Sequence, residues 1–143
     1  MFVSDILAEK GGLVYTVTPG TTVGQVLQQL STRRIGAVLV VDRLDKVAGI
    51  VSERDIVHAL ATHGAPALAL EASEVMTRNV ITCDPDESID QLMETMTRGR
   101  FRHLPVVRHG ELLGLISIGD VVKARLKETR HETEALRAYI VAG

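Results

Sequence analysis

Two stretches of seven residues decide the reading: Gly49-Ile50-Val51-Ser52-Glu53-Arg54-Asp55 and Gly114-Leu115-Ile116-Ser117-Ile118-Gly119-Asp120. Each sets Gly, two apolar residues, Ser and, after two more positions, Asp. Each then runs into a helical pattern, marked by Ile56, Val57 and Leu60 in the first and by Val121, Val122 and Leu126 in the second. The two stretches stand 65 positions apart. A motif doubled at long spacing points to an internal repeat, which changes the whole fold reading.

Working outward, the repetition continues in both directions. Val38-Leu39-Val40-Val41 and Leu104-Pro105-Val106-Val107 read as buried strands, and the turn segments Asp42 to Lys46 and Arg108 to Glu111 join each to the returning strand that ends in the motif, as in a hairpin. Further upstream, Val23, Val26, Leu27 and Leu30 follow Pro19-Gly20-Thr21-Thr22 at helical spacing, and Ile89, Leu92, Met93 and Met96 follow Pro85-Asp86-Glu87-Ser88 at an offset of 66. Both are amphipathic helices, with Thr22 and Ser88 as N-caps. A leading segment repeats too, Ser4-Asp5-Ile6-Leu7 against Ser73-Glu74-Val75-Met76, ahead of strands near Tyr15-Thr16-Val17 and Val80-Ile81-Thr82. The order in each copy is β-α-β-β-α, an α+β fold with two repeats packed about an approximate two-fold axis.

These offsets predict a first repeat over 1–62, a linker over 63–72 in which His63-Gly64-Ala65-Pro66 breaks the helix, a second repeat over 73–126, and a helical extension over 127–143. A repeat of this size buries too little surface to be comfortable alone, so the copies form one structural module. With 143 residues, 45% apolar and only 3% aromatic, the core is aliphatic. A net charge of -2 supplies no global field for DNA, RNA or an anionic membrane. The single cysteine, Cys83, forms no internal disulfide, no apolar run is long enough to span a bilayer, and the first residues carry Asp5 where a signal peptide is apolar. These features predict a cytoplasmic protein.

With Gly-h-h-Ser-x-x-Asp (h apolar) closing each copy and Arg102-His103-Leu104-Pro105-Val106-Val107 in the second, the chain resembles the tandem CBS domain pair, named after cystathionine β-synthase. The resemblance runs from about Ser4 to Leu126 and implies a non-catalytic regulatory module of the free-standing kind. Such pairs bind adenosine-containing ligands such as AMP, ADP, ATP, NAD(H) or S-adenosylmethionine in clefts between the copies. It implies that Asp55 and Asp120 accept from ribose hydroxyls and that Ser52 and Ser117, at helix N-termini, meet phosphate, a placement the helix dipole favours. Arg54 is a phosphate partner in the first copy, and Arg102 and His103 are candidates in the second, His103 equally being able to hydrogen-bond backbone beside Pro105. Adenine contacts map to Val80, Ile81, Thr82, Leu104 and Pro105 in one cleft, with Tyr15, Thr16, Val17, Ala37 and Val38 as their counterparts. The same Ser-x-x-Asp is also a capping motif, Ser at the N-cap and the acid at the third helical residue, and one serine can serve both roles.

No histidine pair has metal-ligand spacing, and no nucleophile with a base and an orienting acid emerges, so neither a metal nor catalysis is expected. Arg33, Arg34, Arg98 and Arg100 fall at helix ends, where they complement the dipole. Cys83 beside Asp84 reads as a packed side chain with a raised pKa. Val122, Leu126, Thr129, Thr133, Leu136 and Ile140 follow a 4-3-4-3-4 spacing along one long C-terminal helix that extends across a partner subunit or stays solvated. The expected partners are an adenine nucleotide, a second copy in a homodimer and an unidentified target protein. The alternative reading is a scaffold or nucleic-acid-binding protein with vestigial clefts, against which the charge and the scarcity of stacking aromatics weigh.

Overall fold

Both helices foreseen from the stripes open on the foreseen caps. The computed structural model describes residues 1–142 and places, in chain order, α1 (Val3–Lys10), β1 (Thr16–Val17), α2 (Val23–Arg33), β2 (Ala37–Val41), β3 (Val47–Ser52), α3 (Glu53–His63), a 3-10 turn (Ala65–Ala69), α4 (Ala72–Val75), α5 (Ile89–Gly99), β4 (His103–Arg108), β5 (Glu111–Ser117) and α6 (Ile118–Ala142). Thr22 Oγ1 accepts from the Gln25 N–H at 3.2 Å while Gln25 Oε1 accepts from the Thr22 N–H at 3.0 Å. Ser88 and Gln91 repeat the exchange at 3.1 and 2.8 Å, so each helix begins with a reciprocal capping box. The buried stripe is narrower than the spacing suggests: Val23, Val26 and Leu30 are buried in α2 and Ile89, Leu92 and Met96 in α5, whereas Leu27 is exposed and Met93 half-buried.

The chain divides into two compact units, Val14–Val80 and Met1–Leu13 together with the chain from Ile81 onward. In the first, β1 runs parallel to β2, which pairs antiparallel with β3 and sets Ala37 opposite Ser52. Its core is formed by Val17, Val23, Val26, Leu30, Val38, Val40, Val51 and Ile56. In the second, β4 and β5 form an antiparallel hairpin with His103 opposite Ser117. Its two-residue turn, His109-Gly110, has φ of 52° and 76°, the left-handed pair that matches the twist of a hairpin. Val3, Ile6, Cys83, Ile89, Leu92, Leu104, Val106 and Ile116 fill the core of this unit.

The strand foreseen at Val80-Ile81-Thr82 is absent among the described residues; a single parallel bridge joins Cys83 to Val106 instead. The reason lies in β4. In the first unit the Leu39 N–H donates to the Tyr15 carbonyl at 3.2 Å, and the residue equivalent to Leu39 in the second is Pro105, which has no N–H to give. Pairing begins only where Cys83 donates to the Pro105 carbonyl and accepts from the Val107 N–H, both at 2.9 Å.

Each leading segment packs in the unit that holds the other copy's motif. α1 packs into the unit that holds the second motif, with the Val3 N–H on the Glu87 carbonyl at 2.9 Å, and α4 packs into the unit that holds the first, with the Ala72 N–H on the Thr21 carbonyl at 2.7 Å. The motif glycines make room for them. A Cβ on Gly49 would lie 2.5 Å from Met76 Sδ and 2.8 Å from the Thr77 carbonyl oxygen, and one on Gly114 would lie 2.6 Å from Leu7 Cδ2. The C-terminal helix is continuous through 25 residues, about 37 Å at 1.5 Å per residue. It buries Val121 and Ala124 and is exposed from Thr129 onward.

Candidate functional site

The two Ser-x-x-Asp tetrads have the same geometry. The Ser52 N–H and hydroxyl donate to Asp55 Oδ2 at 2.8 and 3.0 Å, and the Asp55 N–H donates back to Ser52 Oγ at 3.4 Å. Ser117 and Asp120 make the same three bonds at 2.8, 2.9 and 3.2 Å. The first N–H of each helix is also held, Glu53 by the Gly36 carbonyl at 3.0 Å and Ile118 by the Arg102 carbonyl at 2.8 Å. Each tetrad is therefore a capping box. Each serine hydroxyl donates to the neighbouring carboxylate. The N–H of the second helical residue, Arg54 or Gly119, is the one at each helix start that none of the described hydrogen bonds uses, and it is the group placed to meet an anion.

The second carboxylate oxygens differ. Asp55 Oδ1 accepts from the Thr77 hydroxyl at 3.1 Å, whereas Asp120 Oδ1 takes no bond among the described residues. Asp120 Oδ2 instead takes a third donor, Lys10 Nζ at 2.5 Å, and Lys10 Nζ also donates to the Leu115 carbonyl at 2.7 Å. Burial acts to raise the Asp120 carboxyl, but the Lys10 ammonium and the Ser117 N–H and hydroxyl outweigh it and hold it below the usual carboxylate range.

The other candidate residues spread unevenly around these carboxylates. Arg54 and Arg102 are exposed, and His103 is half-buried opposite Ser117 on the ladder. Of the adenine candidates, Val17, Ala37, Val38, Leu104 and Pro105 are buried, so backbone is what they have to offer a ligand. Thr16, Ile81 and Thr82 are exposed, while Tyr15 and Val80 are half-buried. Tyr15 carries the Arg33 guanidinium over its ring at 4.0 Å, a cation-π contact that gives Arg33 a role beyond the helix end. Val80 falls in the unit of Asp55, while Ile81, Thr82, Leu104 and Pro105 fall in the unit of Asp120. Sequence reasoning missed Lys10 and Thr77. Both lie just beyond the repeated leading segment, and following it a few residues further would have reached them.

Cys83 is buried, and its thiol is pushed up to about 12, first by burial and then by Glu87 and Asp84. Among the described residues no group of three or more His, Cys, Asp or Glu is arranged to hold a metal ion, and no helix is long and apolar enough to cross a membrane.

The CBS domain family profile matches residues 13–62 and 72–127. The chain belongs to the CBS-domain family. A CBS-domain-containing protein from Agrobacterium tumefaciens of known structure is 51% identical, with a TM-score of 0.85 over 87% of this chain and 92% of that one. The mitochondrial CBS-domain-containing protein CBSX3 of Arabidopsis thaliana is 32% identical over 149 residues, taking in 99% of this chain and 72% of that protein. The CBS domain pair of protein MJ0100, whose structure holds 5-methylthioadenosine and S-adenosyl-L-methionine, is 26% identical with a TM-score of 0.79 over 90% of this chain and 98% of that one. The chain is thus a tandem CBS pair with an α+β fold.

Proposed function

We propose that this CBS pair is a non-catalytic sensor that binds an adenosine-containing ligand, AMP, ADP, ATP or NAD(H), at Asp55, at Asp120 or at both. The observation that carries this reading is the doubled tetrad, in which an aspartate on the first turn of a helix is pinned through Oδ2 while Oδ1 stays outside the cap. A carboxylate fixed in this way is pre-oriented to accept from ribose hydroxyls. The unused Arg54 and Gly119 N–H groups, at the positive ends of α3 and α6, suit a phosphate. The adenosine compounds held by the MJ0100 pair support the ligand class. A reducing compartment such as the cytoplasm suits the unpaired Cys83. Signalling goes to a target protein through a homodimer whose faces include the exposed side chains of Val57, Val122 and Leu126.

A thermal-shift panel of AMP, ADP, ATP, NAD, NADH and S-adenosylmethionine tests the reading. A ligand at 100 times its dissociation constant stabilises by about 2.7 kcal/mol, which raises the melting temperature by several degrees. No shift with any of the six overturns it.

A further inference from the structure

The two aspartates carry the same cap but different neighbours, and the difference is one of charge. Asp120 is touched by the Lys10 ammonium at 2.5 Å; Asp55 is touched by the Thr77 hydroxyl at 3.1 Å. Lys10 is not isolated. It lines a cavity of about 100 Å³ with Asp120, Lys123, Lys127 and Glu9, so three lysines and two acids stand around it together with Met1. Lys127 pairs with Glu9 at 3.3 Å, Lys10 pairs with Asp120, and Lys123 makes no ion pair among the described residues. The Met1 ammonium at the same cavity is matched by Glu128 at 2.8 Å.

The equivalent positions of the other copy read differently in every case. The motif offset carries Lys123 to His58 and Lys127 to Thr62, and the offset of the leading segments carries Lys10 to Asn79. The cations near Asp55 do not replace them. Arg54 is exposed, the Arg78 guanidinium donates to the Ser73 carbonyl at 3.0 Å, and among the described residues no cation is bonded to the Asp55 carboxylate.

A carboxylate that accepts from ribose hydroxyls also repels the phosphates of the same ligand. A lysine bonded to one carboxylate oxygen cancels that repulsion and leaves the other oxygen to accept. We infer that the copies divide adenosine ligands by charge: the Asp120 position, neutralised by Lys10 beside Lys123 and Lys127, takes the polyphosphate form, and the Asp55 position takes the form with the fewest phosphates. Lys10 is the residue that sets this selectivity. The inference rests on the ribose assignment proposed above.

Calorimetric titration of adenosine and of ATP into the full chain tests it, with Asp55→Ala isolating one position and Asp120→Ala the other. With Asp55→Ala, ATP binds more tightly than adenosine, and adding Lys10→Met costs ATP about tenfold or more in affinity while adenosine changes by less than about threefold. Lys10→Arg keeps the preference, and raising the salt from about 0.05 to 0.5 M erodes it. With Asp120→Ala the order reverses, and adding Thr77→Lys improves ATP binding at Asp55. Melting curves of the ligand-free variants show whether each one is folded, and if Lys10→Met is not, the Thr77→Lys gain decides. Equal losses of ATP and adenosine in Lys10→Met, or no loss of either, overturn the inference and leave the ribose assignment standing. Binding of neither ligand to the wild-type chain overturns both.

Discussion

The glycine that opens each Gly-h-h-Ser-x-x-Asp motif is explained by what lies over it. At Gly49 the near neighbours include the Thr77 carbonyl, which is backbone, and at Gly114 the nearest is the tip of the Leu7 side chain. Backbone gives way less readily than a leucine rotamer, so the two positions respond unequally to the same change. Gly49→Ala destabilises by about 1 to 3 kcal/mol and Gly114→Ala by about half of that or less, measured by urea denaturation. Equal losses would show that the leading segments move as freely at one site as at the other. Asp120 makes a second test at this scale. Its folded pKa is depressed, so the unfolded chain binds the proton more readily, and the stability it supplies is present above its unfolded pKa of about 3.9 and disappears as the pH falls through the folded value. Acid titration of stability is therefore steeper below about pH 4 in the wild type than in Asp120→Asn. Parallel curves would mean that the Lys10 bond to Asp120 contributes nothing to the fold.

At the scale of elements, α2 and α5 end on Arg34 and Arg100 with φ of 54° and 57°, a left-handed conformation that strains any residue with a Cβ. Arg100→Gly relieves that strain and raises stability by about 1 kcal/mol, read as a higher urea midpoint at unchanged slope. A lower midpoint would mean that the Arg100 side chain holds more than its backbone costs. Much of this level was legible in the sequence. The caps Thr22 and Ser88, the stripes behind them and the two hairpins follow from residue type and spacing, because those signals are local. What escaped depended on which backbone groups meet. Leu39 and Pro105 look alike as apolar members of a strand, but only Leu39 has an N–H, and the strand expected at 80–82 fails on that one hydrogen. The Ser-x-x-Asp tetrads were legible both as caps and as ligand positions, and the caps are what the geometry displays. Lys10 escaped because it is distant in sequence from Asp120 and lies just past the end of the repeated leading segment, where the two copies differ.

At the scale of the whole molecule, one group of exposed apolar side chains lies on α3 and α6. Val57 lies on α3 and Val122 and Leu126 on α6, whose far half carries Leu136, Tyr139 and Ile140, all exposed. From Thr129 onward every described residue of α6 is exposed, so about fourteen residues of helix lack packing within their own unit. An isolated helix shorter than about 12 to 15 residues is marginal in water, because nucleation is costly and propagation gains little per residue. This stretch is therefore persistently helical only where something covers it, and a second copy is always present in a solution of this protein. Sedimentation equilibrium at micromolar concentration reports about twice the 15.5 kDa chain mass. Val122→Glu with Leu126→Glu shifts it toward the single chain, since two carboxylates cannot be buried unpaired. Hydrogen exchange ties the helix to the assembly. Amides after Thr129 gain protection with rising concentration in step with the dimer, and truncation after Leu126 weakens association. If those amides exchange at unprotected rates where the dimer is fully formed, the far half of α6 lies outside the interface; a chain that is monomeric throughout ends the dimer proposal and leaves the ligand positions untouched.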